Sequence, residues 1–281
     1  MGSLVIGSVM ADAINEKLGV ALKMKNIAVD CTEYVDEILE YGNEVHFPTF
    51  TRISDAEDVV QGTALVPEEV GMKDNVATVL QTGKSVRIYD KDKAQIKGKV
   101  VDAMSEQIAE VMAKRIDGAL VSEMVTNAVY KTPMSGFVPT LLEIEACFDV
   151  WGDQVQNSSF AGIICPGKFR SALMAMDEFT KIDKTYATMG NGIVDNENCI
   201  GLWNGTTPVY LSDMMVDSAN GNEPVFAVVK KGALGYIMQR ETTLEEEREA
   251  KLLATDLVAS NLFAVKLLDS KGVSILKTTV A

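Results

Sequence analysis

Hydrophobic residues recur at helical spacing across residues 98–130, the longest such pattern in the chain. Steps of three and four residues keep them on one face of a helix. They are Val101, Met104, Ile108, Val111, Met112, Ile116, Ala119, Leu120, Met124 and Val125. Charged residues such as Glu110, Lys114 and Asp117 lie between them and are expected to face water. The pattern predicts one helix, about 45 Å long, that ends near residues 132–133 and supports other elements.

Residues 1–42 contain two shorter amphipathic patterns, over 9–22 and 34–39, which predict a helical arm that docks on another element. Residues 43–97 differ in character. A strand starts at Glu44, and Pro48 keeps it away from the centre of a sheet. Returning strands are predicted at 76–80 and 85–89, separated by a turn at Thr82 and Gly83.

Residues 54–72 lie between the outgoing and returning strands and contain no lysine or arginine. The acidic residues of this segment are Asp55, Glu57, Asp58, Glu68 and Glu69. The ribbon of residues 43–97 has too few large apolar side chains for a core of its own, and an isolated pair of strands is marginally stable in water. It therefore needs a surface to lie on, and if that surface is not on its own chain it is on a neighbouring subunit, which the acidic residues would then contact. A disordered surface loop is the alternative.

Residues 133–257 predict a mixed module of helices and strands. Thr140 and Glu143 have the spacing of a capping box, a buried strand follows at 161–165, and a short helix carries Phe169. Asn204-Gly205 predicts a hairpin over 199–211, whose second strand is placed at a sheet edge by Pro208. Further strands are predicted at 224–230 and 233–238, and a charged helix at 241–254. Residues 258–281 predict a second hairpin, with strands at 262–268 and 273–277, lying against the long helix.

The composition of the chain excludes more classes of protein than any motif does. The chain has 281 residues, is 47% hydrophobic and carries a net charge of −14. This size fits one large domain or two domains in close contact, and the predicted mixture of helices and strands indicates the α+β class. The negative net charge argues against a dedicated nucleic-acid-binding protein. No hydrophobic run is long enough for a membrane span. Four isolated cysteines indicate reduced thiols rather than disulfides or a metal site.

Candidate chemistry is sparse. His46 is the only histidine, so a catalytic triad would have to use it, yet it lies in the ribbon beside Pro48. Neither a phosphate-binding loop nor a dinucleotide fingerprint is present. No catalytic, cofactor-binding or metal-ligating residue is predicted, and the chain is not expected to be an enzyme. A cytosolic hydrolase using the thiol of Cys165 or Cys199 remains a remote alternative.

The order of parts resembles the major capsid protein of tailed phages, the Hong Kong 97 type fold. Five groups of residues carry this resemblance over nearly the whole chain: 45–49 (VHFPT), 102–117, 163–169 (IICPGKF), 192–194 with 200–201 and 207–210, and 240–248 with 263–265. The resemblance implies an N-terminal arm (1–42), an extended loop or β-ribbon (43–97), the spine helix of a peripheral domain (98–132), a mixed α/β axial domain (133–257) and a C-terminal hairpin returning to the peripheral domain (258–281).

The function implied by this resemblance is structural. The chain would assemble with copies of itself, as hexamers and pentamers, into an icosahedral head around phage double-stranded DNA, without sequence-specific DNA binding and without a membrane. It would be made in the host cytoplasm and reside in the virion. Since no long charged helical region precedes the arm, a separate scaffolding protein is expected, together with a portal. An encapsulin-like bacterial compartment shell is the alternative with the same fold.

Overall fold

The computed structural model describes residues 3–32, 43–50, 67–69, 71–91, 100–154, 159–181 and 199–279. Four α-helices lie in these segments: α1 (Ser3–Ala21), α2 (Val100–Asn127), α3 (Leu141–Asp149) and α4 (Arg170–Leu173). The strands are β1 (Val29–Asp30), β2 (Glu44–Phe50), β3 (Met72–Thr78), β4 (Leu80–Tyr89), β5 (Tyr130–Pro133), β6 (Phe160–Cys165), β7 (Phe179–Lys181), β8 (Cys199–Trp203), β9 (Thr207–Leu211), β10 (Val216–Asp217), β11 (Glu223–Pro224), β12 (Phe226–Lys230), β13 (Leu234–Glu249), β14 (Ala254–Leu267) and β15 (Val273–Lys277).

The predicted long helix is confirmed as α2, which has 28 residues and is about 42 Å long. Its apolar face is buried in one core with α1 and parts of both large sheets. Two side chains differ from the prediction: Val111 is exposed, and Asp117, expected to face water, is buried. The helix also ends before residue 132, because residues 130–133 pair as a strand with β15.

The first of the two helical patterns predicted in residues 1–42 is confirmed. α1 covers the apolar pattern of residues 9–22, and Ile14, Leu18 and Leu22 are buried in the core beside α2. The second predicted stretch, residues 34–39, lies outside the described residues. A short strand, β1, then joins the edge of the sheet by pairing in parallel with β13.

The base of the ribbon is the antiparallel pair β2 and β3, in register from Glu44 opposite Thr78 to Phe50 opposite Met72. This two-stranded sheet accommodates Pro48 as expected. The predicted turn at Thr82 and Gly83 is wrong. Both residues lie inside β4, which pairs without interruption with β14 over ten residues.

Two larger sheets organise the rest of the described chain. One has four strands in the order β1-β13-β14-β4, and the other has seven in the order β5-β15-β12-β6-β9-β8-β7. The seven-stranded sheet has its own second core, built around aromatic residues that include Phe169, Trp203 and Phe226. The helix α3 packs on this core.

The local predictions within the seven-stranded module are largely confirmed. Thr140 and Glu143 form the capping box of α3, and Asn204 and Gly205 form the turn of the β8–β9 hairpin with positive φ angles of 47° and 72°. The edge position predicted from Pro208 is wrong, because β9 lies between β6 and β8. The proline is tolerated because the ladder to β6 begins one residue later, at Val209.

The helix predicted over residues 241–254 is also wrong. This stretch continues the 16-residue strand β13, which turns at residues 250–253 and returns as β14. Leu244 packs inward beside Leu257, while Glu245 and Glu247 are more exposed. Pairing with β14 thus overrides the helical preference of a glutamate-rich sequence.

The predicted C-terminal hairpin is wrong in its pairing, although both of its strands exist. β14 pairs with β13 and β4, whereas β15 belongs to the other sheet, between β5 and β12. The turn at residues 269–272 therefore crosses between sheets. The predicted packing against the long helix is confirmed, since Leu267, Val273 and Ile275 share the core of α2.

Candidate assembly surfaces

The structure describes two of the five acidic residues predicted to lie at an interface. Asp55, Glu57 and Asp58 lie outside the described residues. Glu68 and Glu69 are described and exposed on the returning side of the ribbon. Whether these five residues contact a neighbouring subunit stays a prediction.

The base of the ribbon, formed by β2 and β3, is firmly held against the rest of the protein. Val45, Phe47 and Ala77 are buried against residues of β13 and β14 in a small apolar cluster. The Asn75 side-chain amide donates to the hydroxyl of Thr49 at 3.1 Å and to the carbonyl of Leu268 at 3.4 Å. Because hydrophobic and hydrogen-bonded contacts hold both strands, the orientation of β2 and β3 on the protein is set by their own chain.

The distal half of the β13–β14 hairpin is held by two bidentate ion pairs. Arg87 of β4 donates to both oxygens of Asp256 at 2.7 Å, and Arg248 donates to both oxygens of Asp90 at 2.7 and 2.6 Å. Planar guanidinium–carboxylate pairs of this geometry fix orientation as well as charge. The tip they support exposes three apolar side chains to solvent: Tyr89, Leu252 and Leu253.

A second exposed apolar surface lies on the loop before α3 and on the first turn of that helix, where Phe137 is 83% and Leu142 82% exposed. The loop is rigid because one carboxylate organises it. Glu143 accepts from the backbone N–H and hydroxyl of Ser135, both at 2.6 Å, and from the backbone N–H and hydroxyl of Thr140 at 2.8 and 2.9 Å. Burial acts to raise the pKa of Glu143, but these hydrogen bonds lower it to about 2. Large apolar side chains held in place before binding are typical anchors of protein–protein contacts.

The buried carboxylate of Asp117 connects the arm to α2. Its oxygens accept from the backbone N–H groups of Lys23 and Met24 at 3.1 and 3.2 Å, where a short 3₁₀ turn follows α1. Burial raises the pKa of Asp117 to about 6 despite these hydrogen bonds. The Asp117 carboxylate therefore accepts hydrogen bonds from two backbone N–H groups that would otherwise be buried without partners.

Of the residues considered for catalysis, the structure describes Cys165, Cys199 and His46. Burial raises the pKa of the Cys165 thiol to about 12 and also raises that of Cys199, and a buried thiol of this kind is a poor nucleophile. His46 lies in the ribbon base, with Nδ1 2.6 Å from Asp74 Oδ2 and both side chains exposed. Within the described segments no group of His, Cys, Asp or Glu is arranged to hold a metal ion. No helix there has the length and apolar character needed to cross a membrane.

No protein-family model and no curated protein matches the chain, but solved structures do. A protein of Mycobacterium phage Che8 superimposes with a TM-score of 0.63 at 17% identity, over 91% of each chain. The mature capsid of bacteriophage PhiM1 gives a TM-score of 0.59 at 12% identity, covering 92% of this chain and 87% of the other. The capsid of a native GTA particle gives 0.60 at 10% identity, covering 92% and 91%. The chain has the Hong Kong 97 type capsid fold.

Sequence reasoning missed the exposed apolar surfaces of this capsid-type fold. Leu252 and Leu253 were placed in a helix, so their position at a hairpin tip was hidden. Phe137 and Val138 follow Gly136 and precede Pro139, and two apolar residues inside such a loop are a signal that could have been noticed. The ion pairs Arg87–Asp256 and Arg248–Asp90 join residues more than 150 positions apart, which no local pattern reveals.

Proposed function

We propose that the chain is a major capsid protein that self-assembles into the icosahedral head enclosing phage double-stranded DNA. The observation that carries this proposal is the match of one fold over about nine-tenths of both chains to the capsids of several particles. The exposed apolar tip and loop support it, because a subunit that functions alone has little use for rigidly held, solvent-exposed Phe137 and Leu142.

The parts of the chain are assigned as follows in this proposal. The arm comprises residues 1–42 and the extended loop residues 43–97, while α2 and the four-stranded sheet form the peripheral domain. The seven-stranded sheet and α3 form most of the axial domain, for which the sequence predicts residues 133–257. Since residues 234–257 pair within the four-stranded sheet, we assign them to the peripheral domain, and β15 to the axial domain.

Assembly would rest on many modest contacts between copies, arranged as hexamers and pentamers, with a scaffolding protein and a portal as further partners. DNA would be enclosed by confinement, with counterions, rather than held by a basic surface. The net charge of −14 supports this, since a protein that binds phosphates through lysine and arginine carries the opposite charge.

The ribbon provides a direct test of assembly. Because Phe50 lies opposite Met72, replacing residues 51–71 with an Asn-Gly turn would close β2 and β3 as a two-residue hairpin. We expect this variant to keep the circular dichroism spectrum and thermal midpoint of the subunit but to form no closed particles in light scattering and electron microscopy. Reversing the charge of Glu68 and Glu69 to lysine should weaken assembly, while the double change to glutamine should have a smaller effect. Normal shells from the closed hairpin would contradict the role of the ribbon.

A further inference from the structure

The ladder between β13 and β14 is interrupted partway along β13. Before the interruption Met238 lies opposite Phe263, and after it Thr243 lies opposite Ser260. Five steps along β13 therefore match three steps along β14, so β13 contains two extra residues here. We call residues 239–242 the β13 bulge. Because side chains alternate with a period of two residues, a bulge of two extra residues leaves the strand beyond it with the same inward and outward faces.

One side chain of α1 is hydrogen-bonded to the backbone of the β13 bulge. Asn15 Oδ1 accepts from the N–H of Thr242 at 3.1 Å, and Asn15 Nδ2 donates to the carbonyl of Thr242 at 3.4 Å. Nδ2 also lies 3.5 Å from Glu241 Oε2. Thr242 has no partner residue in the ladder to β14, and buried backbone N–H and C=O groups nearly always need a partner. The Asn15 amide thus forms the pair of hydrogen bonds that a neighbouring strand would otherwise supply.

The interior beneath the β13 bulge is polar, whereas the hairpin is packed by apolar side chains on either side of it. Thr242 and Asn261 are buried here, and Asn261 accepts a hydrogen bond from the hydroxyl of Thr82. Towards the base, the hairpin belongs to the core of α2. Towards the tip, Ile88 and Leu257 are buried in a separate, smaller cluster. The distal half of the hairpin therefore depends on fewer apolar contacts than the base does.

The position of Asn15 is set by α2 rather than by β13. Ile14 and Leu18, on either side of Asn15 in the sequence, are buried in the core beside α2. The turn that follows α1 is hydrogen-bonded to Asp117 of α2. Helix α1 consequently bridges α2 and the β13 bulge, and the contact with the bulge exists only while α1 is docked.

We propose that α1 is a clamp on the β13 bulge, so that docking of the N-terminal arm holds the distal half of the β13–β14 hairpin in place. When Asn15 is withdrawn, the N–H and C=O of Thr242 lose their partner, and the strand bends most easily where its ladder is already interrupted. The tip that carries Leu252 and Leu253 is then no longer held in one orientation. The arm thereby controls the position of an exposed apolar surface that it does not itself contain.

The first test is hydrogen exchange, followed by mass spectrometry, on the unassembled full-length chain carrying Asn15→Ala. The amides of residues 246–256, beyond the bulge, should exchange about tenfold faster than in the parent chain. Those of residues 199–211, in the β8–β9 hairpin, should keep their rate. Asn127→Ala, at an exposed position at the end of α2, is the matched control and should change neither segment. Unchanged exchange at residues 246–256, or an equal increase in both segments, would overturn the proposal.

The second test asks whether Asn15 acts through the bulge. Deleting Gln239 and Glu241 removes the two extra residues while keeping the faces of the strand beyond them. In this shortened chain, Asn15→Ala should change exchange at residues 246–256 by less than about twofold, because no bulge is left to clamp. An increase as large as that in the parent chain would mean that Asn15 acts by another route, and the proposal would be wrong.

The third test measures the position of the tip and does not depend on the folding of the shortened chain. Nitroxide labels are attached at Lys251→Cys, in the tip, and at Lys168→Cys, at an exposed site of the seven-stranded module. The background is Cys31→Ser, since the other three cysteines are buried. Double electron–electron resonance should give a broader distance distribution with Asn15→Ala than with the parent chain or Asn127→Ala. Distributions of equal width would contradict the clamp.

Discussion

The buried ion pair between Lys277 and Asp217 allows a quantitative test of the fold. The side chains are 5% and 4% exposed, and Lys277 Nζ lies 2.8 Å from Asp217 Oδ2. The same carboxylate accepts from the backbone N–H of Ala219 and the side-chain amide of Asn220. The pair joins the end of β15, in the seven-stranded sheet, to the end of β10.

Lys277→Met removes the cation but leaves the carboxylate buried. Breaking one half of a buried pair costs about 3–5 kcal/mol of unfolding free energy. For a chain of this length, that corresponds to a fall in thermal midpoint of about 5–9 °C. Burial acts to raise the pKa of Asp217, but hydrogen bonds led by that from Lys277 keep it below its usual value. The stabilisation by Asp217 is therefore present above pH 4 and is lost as the pH falls further.

The assay is urea denaturation of the unassembled subunit, followed by circular dichroism at pH 7. The double variant Asp217→Asn with Lys277→Met should lose less stability than Lys277→Met alone, because no charge is left buried without its partner. The control is Lys231→Met, which removes an exposed lysine after β12 and should change stability by less than about 0.5 kcal/mol. A loss below about 1 kcal/mol for Lys277→Met, or a double variant equal to the sum of the single ones, would refute the reasoning.

Three other groups give separate predictions. Glu143→Ala should lower the free energy of unfolding by about 1–3 kcal/mol and release the loop that carries Phe137. Hydrogen exchange at residues 135–140 should then become faster. Unchanged exchange there would show that this carboxylate does not hold the loop. Asp117 has its pKa raised by burial to about 6, so stability should decrease as pH rises from about 4 to 6, by up to about 3 kcal/mol. The Asp117→Asn variant should lack this component, and a carboxyl titration with a midpoint near 4 in the NMR spectrum would disprove it. Leu257→Ala should cost about 2–3 kcal/mol, with faster exchange confined to the distal hairpin rather than spread over the core.

Features governed by local chemistry could be predicted from the sequence. The capping box of Thr140 and Glu143, the Asn204-Gly205 turn and the apolar face of α2 each depend on residues within a few positions of one another. Such signals were sufficient for the α+β class and for most elements of the seven-stranded module.

Features set by distant partners could not be predicted in this way. Residues 241–254 read as a helix because glutamate, leucine and alanine favour one, and only pairing with β14 makes them a strand. The pattern predicts that Asp117 lies on the solvent-facing side of α2. Its burial could not be predicted, because its partners, Lys23 and Met24, lie more than 90 residues away in the sequence. Of the candidate assembly surfaces, the sequence could indicate an acidic ribbon that lacks a core. It could not indicate the exposed tip with Leu252 and Leu253, which exists only because β13 pairs with β14.

Electron microscopy of the purified recombinant chain, and of any particles that contain this chain isolated from its source cells, tests the central claim most directly. The account predicts closed icosahedral shells or hexameric and pentameric rings, with density for the four-stranded sheet and α2 in each subunit and DNA inside the native particle. A native particle that encloses an enzyme instead of DNA would contradict the phage function and favour an encapsulin-like compartment. A chain that is strictly monomeric in every preparation, with no copy of it in any particle, would contradict the shell function.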